Sequence, residues 1–244
     1  MEKSDIYGTR AVMEAILAGK EIEKIMIQSG LNNDLIKELI TTARSRNVPF
    51  TFVPAEKLKR LSSKNHQGVI CKLSAVSYAS LENIIRHVFD NGREPFLLVL
   101  DRITDVRNFG AIVRTAECAG VDAIVISDKG NAPITNDSMK TSAGALNHVP
   151  VCREPDLKKT LIYLQESGIR VVACTEKAEK NIFDIDLKGP CAVIMGSEED
   201  GISDVLIRQA DDLAKIPLKG KISSLNVSVA AGIAVYEVVR QWTK

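Results

Sequence analysis

The sequence predicts an α/β protein in two parts: a small α/β domain over residues 1–76 and a larger domain over residues 77–244, built on a parallel sheet covered on both faces. Three observations predict it. Runs such as Pro95–Leu100 and Cys191–Met195 are apolar throughout instead of alternating, as strands buried on both faces are. Helical stretches separate these runs, the pattern of βαβ units. Hydrophobic residues make up 45% of 244 residues, enough for a packed core in one large or two modest domains.

The elements follow in order. Residues 7–17 have the apolar spacing of a short helix, and 22–27 read as a strand. Leu35, Ile36, Leu39, Ile40 and Ala43 give residues 34–46 a helical face. A strand at 50–53, a short helix at 55–61 and a strand at 68–73 complete the first domain. Residues 74–80 carry no charge and read as a short linker. The second domain opens with a helix at 81–89 and the strand ending at Leu100. A helix over 108–120 follows, with Asn108 as its expected N-cap and Gly120 as its stop. A strand at 121–126, helices at 138–145 and 156–166, and strands at 169–175 and 191–195 come next. A short helix at 204–210, a strand at 213–218 and a final helix at 225–241 close the chain.

Composition narrows the function. The five cysteines are unclustered and sit in apolar contexts, as reduced buried thiols of a cytoplasmic protein do. Three scattered histidines speak against a metal site. The charged start predicts no signal peptide, and the longest uncharged run is too short and too polar to span a membrane. Net charge is +1, but residues 1–79 hold 12 Lys/Arg against 8 Asp/Glu. A mildly basic first domain fits RNA docking. Arg10, Lys57, Lys59, Arg60 and Lys64 are its candidate phosphate contacts, while His66-Gln-Gly68 reads as a turn. No Gly-x-Gly occurs among the 15 glycines, which excludes the usual dinucleotide fingerprint; the phosphate-binding Gly-x-x-x-x-Gly-Lys loop is absent too.

Three polar clusters stand at strand ends or helix starts: Asn108-Phe-Gly-Ala-Ile-Val-Arg-Thr-Ala116, Gly196-Ser-Glu-Glu-Asp-Gly201, and Ile216-Pro-Leu218 with Ser224-Leu-Asn-Val-Ser228. Ligands of open α/β sheets bind beyond the carboxyl ends of the strands, so the loops after Thr175, Met195 and Leu218 should converge there. In order and spacing the three clusters resemble the signature motifs of the SpoU (TrmH-like) SPOUT RNA ribose 2′-O-methyltransferases. The likeness is close over residues 95–244 and looser before them. It departs at Val106-Arg107, where many members carry Asp-Pro.

The resemblance implies a trefoil-knotted SPOUT domain after a ribosomal-protein-like RNA-binding domain. It also implies S-adenosyl-L-methionine as methyl donor and a homodimer whose site is built across the C-terminal interface. It assigns Thr175, Gly196, Ile216, Ser224 and Leu225 to the cofactor, held mainly by backbone groups. Arg114, Asn108, Glu198, Ser224 and Asn226 become the catalytic set, with Arg114 either the base for the ribose hydroxyl or a phosphate clamp. Glu198 is expected to orient Arg114 or Asn226. Asn226 is read as lying just inside a helix, where Asn is unfavourable. The two-domain plan is similar to bacterial 23S rRNA guanosine 2′-O-methyltransferases, which implies rRNA or a ribosome-assembly intermediate as partner. A tRNA ribose methyltransferase, an rRNA adenosine methyltransferase of the thiostrepton-resistance type and a catalytically silent RNA-binding assembly factor are the alternatives.

Overall fold

A computed structural model describes residues 5–243. The chain divides into two compact units: the first runs up to Ser77 and includes Pro133–Asn136, and the second holds Tyr78–Ala132 and the rest from Asp137.

In the first unit, β1 (Ile6–Tyr7), β2 (Ile22–Gln28), β3 (Phe50–Val53) and β4 (Val69–Leu73) form one sheet in the order β1-β4-β2-β3. β2 and β3 are parallel, and β4 is antiparallel to both β1 and β2. The helices are α1 (Thr9–Leu17), α2 (Asp34–Ser45) and α3 (Ala55–Leu61). Val12, Ile16, Ile36 and Leu39 from α1 and α2 pack on Ile25, Ile27, Val69 and Cys71, while Leu58 of α3 packs with Met26 and Ile70. The expected helix from residue 7 starts two residues later, because Gly8 takes a left-handed φ of 87° and leaves Tyr7 in β1. Ser74 is buried and donates its N–H to Glu21 O, so the expected linker begins as a continuation of β4.

The second unit contains α4 (Leu81–Asp90), β5 (Phe96–Asp101), α5 (Val106–Cys118), β6 (Ala123–Ser127), α6 (Asn136–Thr141), β7 (Val151–Glu154), α7 (Leu157–Glu166), β8 (Arg170–Cys174), β9 (Cys191–Gly196), α8 (Asp204–Gln209), β10 (Asp212–Ala214) and α9 (Val227–Trp242). Its six strands pair in the order β10-β8-β9-β5-β6-β7, every neighbour parallel. All six residues of β5 and of β9 are buried. No helix among the described residues is long and apolar enough to cross a membrane.

Local chemistry moved several element ends. Asp105, not Asn108, caps α5: its carboxylate accepts from Arg107 N (2.7 Å) and Asn108 N (2.9 Å), so Asn108 lies in the first turn. β7 was not expected; it is a four-residue edge strand whose second half is polar. The expected 138–145 helix stops at Thr141, because Ala143 and Gly144 take left-handed φ and turn the chain into a 3₁₀ turn at Ala145–Asn147. β10 ends at Ala214, well short of Leu218; Lys215 N bonds to Lys180 O instead, and Pro217 has no N–H for a ladder. α9 begins at Val227, and Asn226 is its N-cap. That overturns the reading of Asn226 as an unfavourable residue inside a helix.

Candidate active site

β10, β8 and β9 are neighbours in the sheet, so the loops leaving their carboxyl ends meet. They enclose a cavity of about 420 Å³, and all five residues expected at a cofactor line it: Thr175, Gly196, Ile216, Ser224 and Leu225. Thr175 closes its wall from below, with N bonded to Ala214 O (2.8 Å) and Oγ1 accepting from Lys177 N (3.3 Å). Gly196 is required by close approach. A Cβ built on it would stand inside the Gly201–Ile202 peptide, so only a glycine lets the loop fold back over the end of β9. Four carboxylates, Glu176, Glu198, Glu199 and Asp200, line the same cavity.

Beside the cavity the three polar clusters join. Asn108 Nδ2 donates to Glu198 Oε1, and Asn226 Nδ2 donates to Asn108 Oδ1 at 3.1 Å. Asn226 Oδ1 then accepts from Ser228 N (2.9 Å) and Ser228 Oγ (2.6 Å). Each amide is used at both ends, which sets its orientation. Ser224 stands exposed on the loop before α9.

Residues 95–236 match the SpoU rRNA Methylase family, and residues 6–79 match the family described as RNA 2′-O ribose methyltransferase substrate binding. The chain belongs to the SpoU family. Two relatives extend the match over nearly the whole length. YacO of Bacillus subtilis, named for the TrmH family of tRNA/rRNA methyltransferases, is 33% identical over 236 residues, covering 97% of this chain and 95% of that protein. A Staphylococcus epidermidis protein named for the same family is 34% identical over 241 residues, covering 99% and 97%. Among solved structures, the SpoU methyltransferase AviRb from Streptomyces viridochromogenes, in complex with AdoMet, shares the fold with a TM-score of 0.62 at 24% identity, covering 98% of this chain and 90% of AviRb.

In this SpoU chain Arg114 stands apart from the joined amides. Six residues beyond Asn108 on α5, it points about 120° away from Asn108 around the helix and lies about 9 Å along it. Its side chain is exposed and makes no hydrogen bond or ion pair with any described residue, so neither Asn108 nor Glu198 holds it. Glu198 instead orients Asn108, and through it Asn226.

Sequence reasoning missed the groups that hold the SpoU second motif in place. Arg102 bonds Asp101 through Nε (3.1 Å) and Nη2 (3.3 Å), Asp200 through Nη1 (3.1 Å) and Gly201 O through Nη2 (3.1 Å). The bond with Asp101 raises the Arg102 pKa further above its ordinary value. Asp200 is this arginine's partner. An aspartate closing an apolar strand was the one available signal.

One further expectation changed. Cys71, Cys152 and Cys191 are buried as expected, but Cys118 is exposed and Cys174 half-buried against the cavity. In the first unit, Arg10, Lys57, Lys59, Arg60 and Lys64 are all exposed, and Lys64 Nζ lies 5.1 Å from the Tyr7 ring centroid. His66 Nδ1 accepts from Gly68 N at 3.0 Å and so builds its own turn. Among the described residues no three His, Cys, Asp or Glu side chains cluster as a metal site.

Proposed function

We propose that this RNA 2′-O-ribose methyltransferase of the SpoU/TrmH family modifies a guanosine of 23S rRNA, free or in a ribosome-assembly intermediate, in the cytoplasm. S-adenosyl-L-methionine, when bound, supplies the methyl group on a sulfonium, already a good leaving group. The cavity suits it. Its volume of about 420 Å³ is that of a small-ligand site, and carboxylates face a ligand that carries a sulfonium and an ammonium. Thr175, Gly196, Ile216, Ser224 and Leu225 would hold it.

The observation that carries the reading is the joining of Asn108, Glu198 and Asn226 at the mouth of that cavity. The two fixed amides and Ser224 can align a ribose there. We assign Arg114 the phosphate clamp, because a guanidinium keeps its charge in proteins and its planar fork matches a phosphate. It holds the RNA phosphate and steadies the charge that develops on the neighbouring ribose oxygen. Residues 1–76 dock the RNA and residues 77–244 carry the knotted catalytic domain.

We further propose a homodimer through α9. Val229 and Tyr236, seven residues apart on one face, are 50% and 48% exposed, with Ile233 between them. Such an apolar stripe on a terminal helix fits a second copy. A dimer would also give the unpartnered Arg114 a site to serve in the other subunit.

The test is to map methylated riboses in RNA from a deletion strain and from the complemented strain. A 23S guanosine that loses its 2′-O-methyl group supports the reading. A lost tRNA site transfers it to the other class named for the relatives. No lost site in any RNA would point to a silent binding factor.

A further inference from the structure

We infer that Arg102 is a positioning residue for the methyl-donor cavity: its guanidinium clamps the loop at residues 197–203 onto the end of β5, and the chain keeps a left-handed backbone at this position to hold that clamp. This rests on reading the cavity as the S-adenosyl-L-methionine site.

The backbone is the first observation. Arg102 has φ of 60°, a region where a side chain crowds its own backbone and where glycine sits at ease. A non-glycine residue kept there at a cost, beside a binding cavity, asks what its side chain does.

The side chain supplies the answer. One guanidinium reaches the loop at Asp200 Oδ2 (3.1 Å) and Gly201 O (3.1 Å). It also forks onto Asp101, which is only 4% exposed, and Asp101 Oδ2 in turn accepts from Ser203 N at 2.7 Å. Three points of the loop are therefore tied, directly or through Asp101, to the last residue of β5. Within the loop, Ser197 and Gly201 exchange backbone bonds at 3.1 and 3.0 Å. Those bonds close the turn but do not say where it sits. Asp200 and Gly201 line the cavity, and Glu198 on the same loop accepts from Asn108. Placing this loop thus sets the cavity wall and one end of the joined amides together. A lysine would offer a single point charge in place of the fork.

The experiment measures S-adenosylhomocysteine binding by calorimetry, and melting temperature, on the full-length wild type and on Arg102→Gly, Arg102→Ala and Arg102→Lys. Arg102→Gly and Arg102→Ala should both bind at least tenfold more weakly. Arg102→Gly should nevertheless melt higher than Arg102→Ala, because glycine relieves the left-handed backbone. Arg102→Lys should lose several-fold in affinity. A merely structural role predicts otherwise: affinity would follow melting temperature, and Arg102→Gly would recover it. That outcome overturns the clamp, as does wild-type affinity in any of the three. If Arg102→Gly and Arg102→Ala fail to fold, Arg102→Lys decides by the same criterion. A wild type that binds no S-adenosylhomocysteine would instead bring down the reading of the cavity, and the clamp with it.

Discussion

Asn108 and Glu198 lie ninety positions apart in the chain, and the Asn108 side-chain amide donates to the Glu198 carboxylate. The bond joins the first turn of α5 to the loop after β9, and Asn226 extends it to the cap of α9.

That geometry makes Asn108→Asp a sharp test. The substitution keeps the shape, removes the donor and sets two carboxylates against each other. Turnover should fall by about tenfold at neutral pH, the worth of an unmade charged hydrogen bond. Two carboxylates sharing a site raise the pKa of one of them. Activity should therefore recover relative to wild type as pH falls and the pair takes up a proton. A pH–rate profile parallel to wild type would count against the bond's role.

Arg114→Ala should lower turnover by roughly 100-fold or more, the scale of losing a positioned charge donor. S-adenosylhomocysteine affinity should survive, because Arg114 does not line the cavity. Arg114→Lys should also fail, since a point charge does not replace the fork. Single-turnover kinetics on methyl-accepting RNA together with calorimetry separate the two effects. Lost ligand binding would place Arg114 in the fabric of the cavity instead.

Gly196→Ala tests the closeness of the second motif to β9. The added methyl has no room against the Gly201–Ile202 peptide. The overpacking should cost about 1–3 kcal/mol of stability by denaturant titration and should weaken cofactor binding by displacing the loop.

The thiols respond to pH in a defined way. Burial pushes Cys71, Cys152, Cys174 and Cys191 up to about 12 from an ordinary 9.0. At pH 8 they stay protonated and poorly nucleophilic. Iodoacetamide at pH 8 should label at most one thiol per native chain, Cys118, and all five after denaturation. Rapid labelling of Cys174 in the native protein would contradict this, and mass mapping reads it directly.

Tyr236→Glu puts a charge at one end of the α9 stripe. Light scattering should show a dimer for the wild type and a monomer for the variant, with methyl transfer lost in the monomer. A fully active monomer would refute the proposed assembly.

Much of this was legible in the chain itself. β5 and β9 could be read because strands covered on both faces must be apolar at every position, and this pattern is local. The three motifs could be read because each is a short run of neighbouring residues whose order and spacing resemble the SpoU signatures. Tertiary structure decided matters that depend on distant partners. The cap of α5 fell to Asp105 because its carboxylate reaches two backbone N–H groups, and that left Asn108 free to meet Glu198 and Asn226. β10 stopped at Ala214 because the next N–H found Lys180 O. The arginine clamp on Asp200 joins residues ninety-eight positions apart, a pairing that no periodicity records. Hydrophobic pattern specifies which face of an element is buried; which polar groups then meet depends on how the loops of separate strands close over the same sheet edge, and only the folded chain brings those loops together.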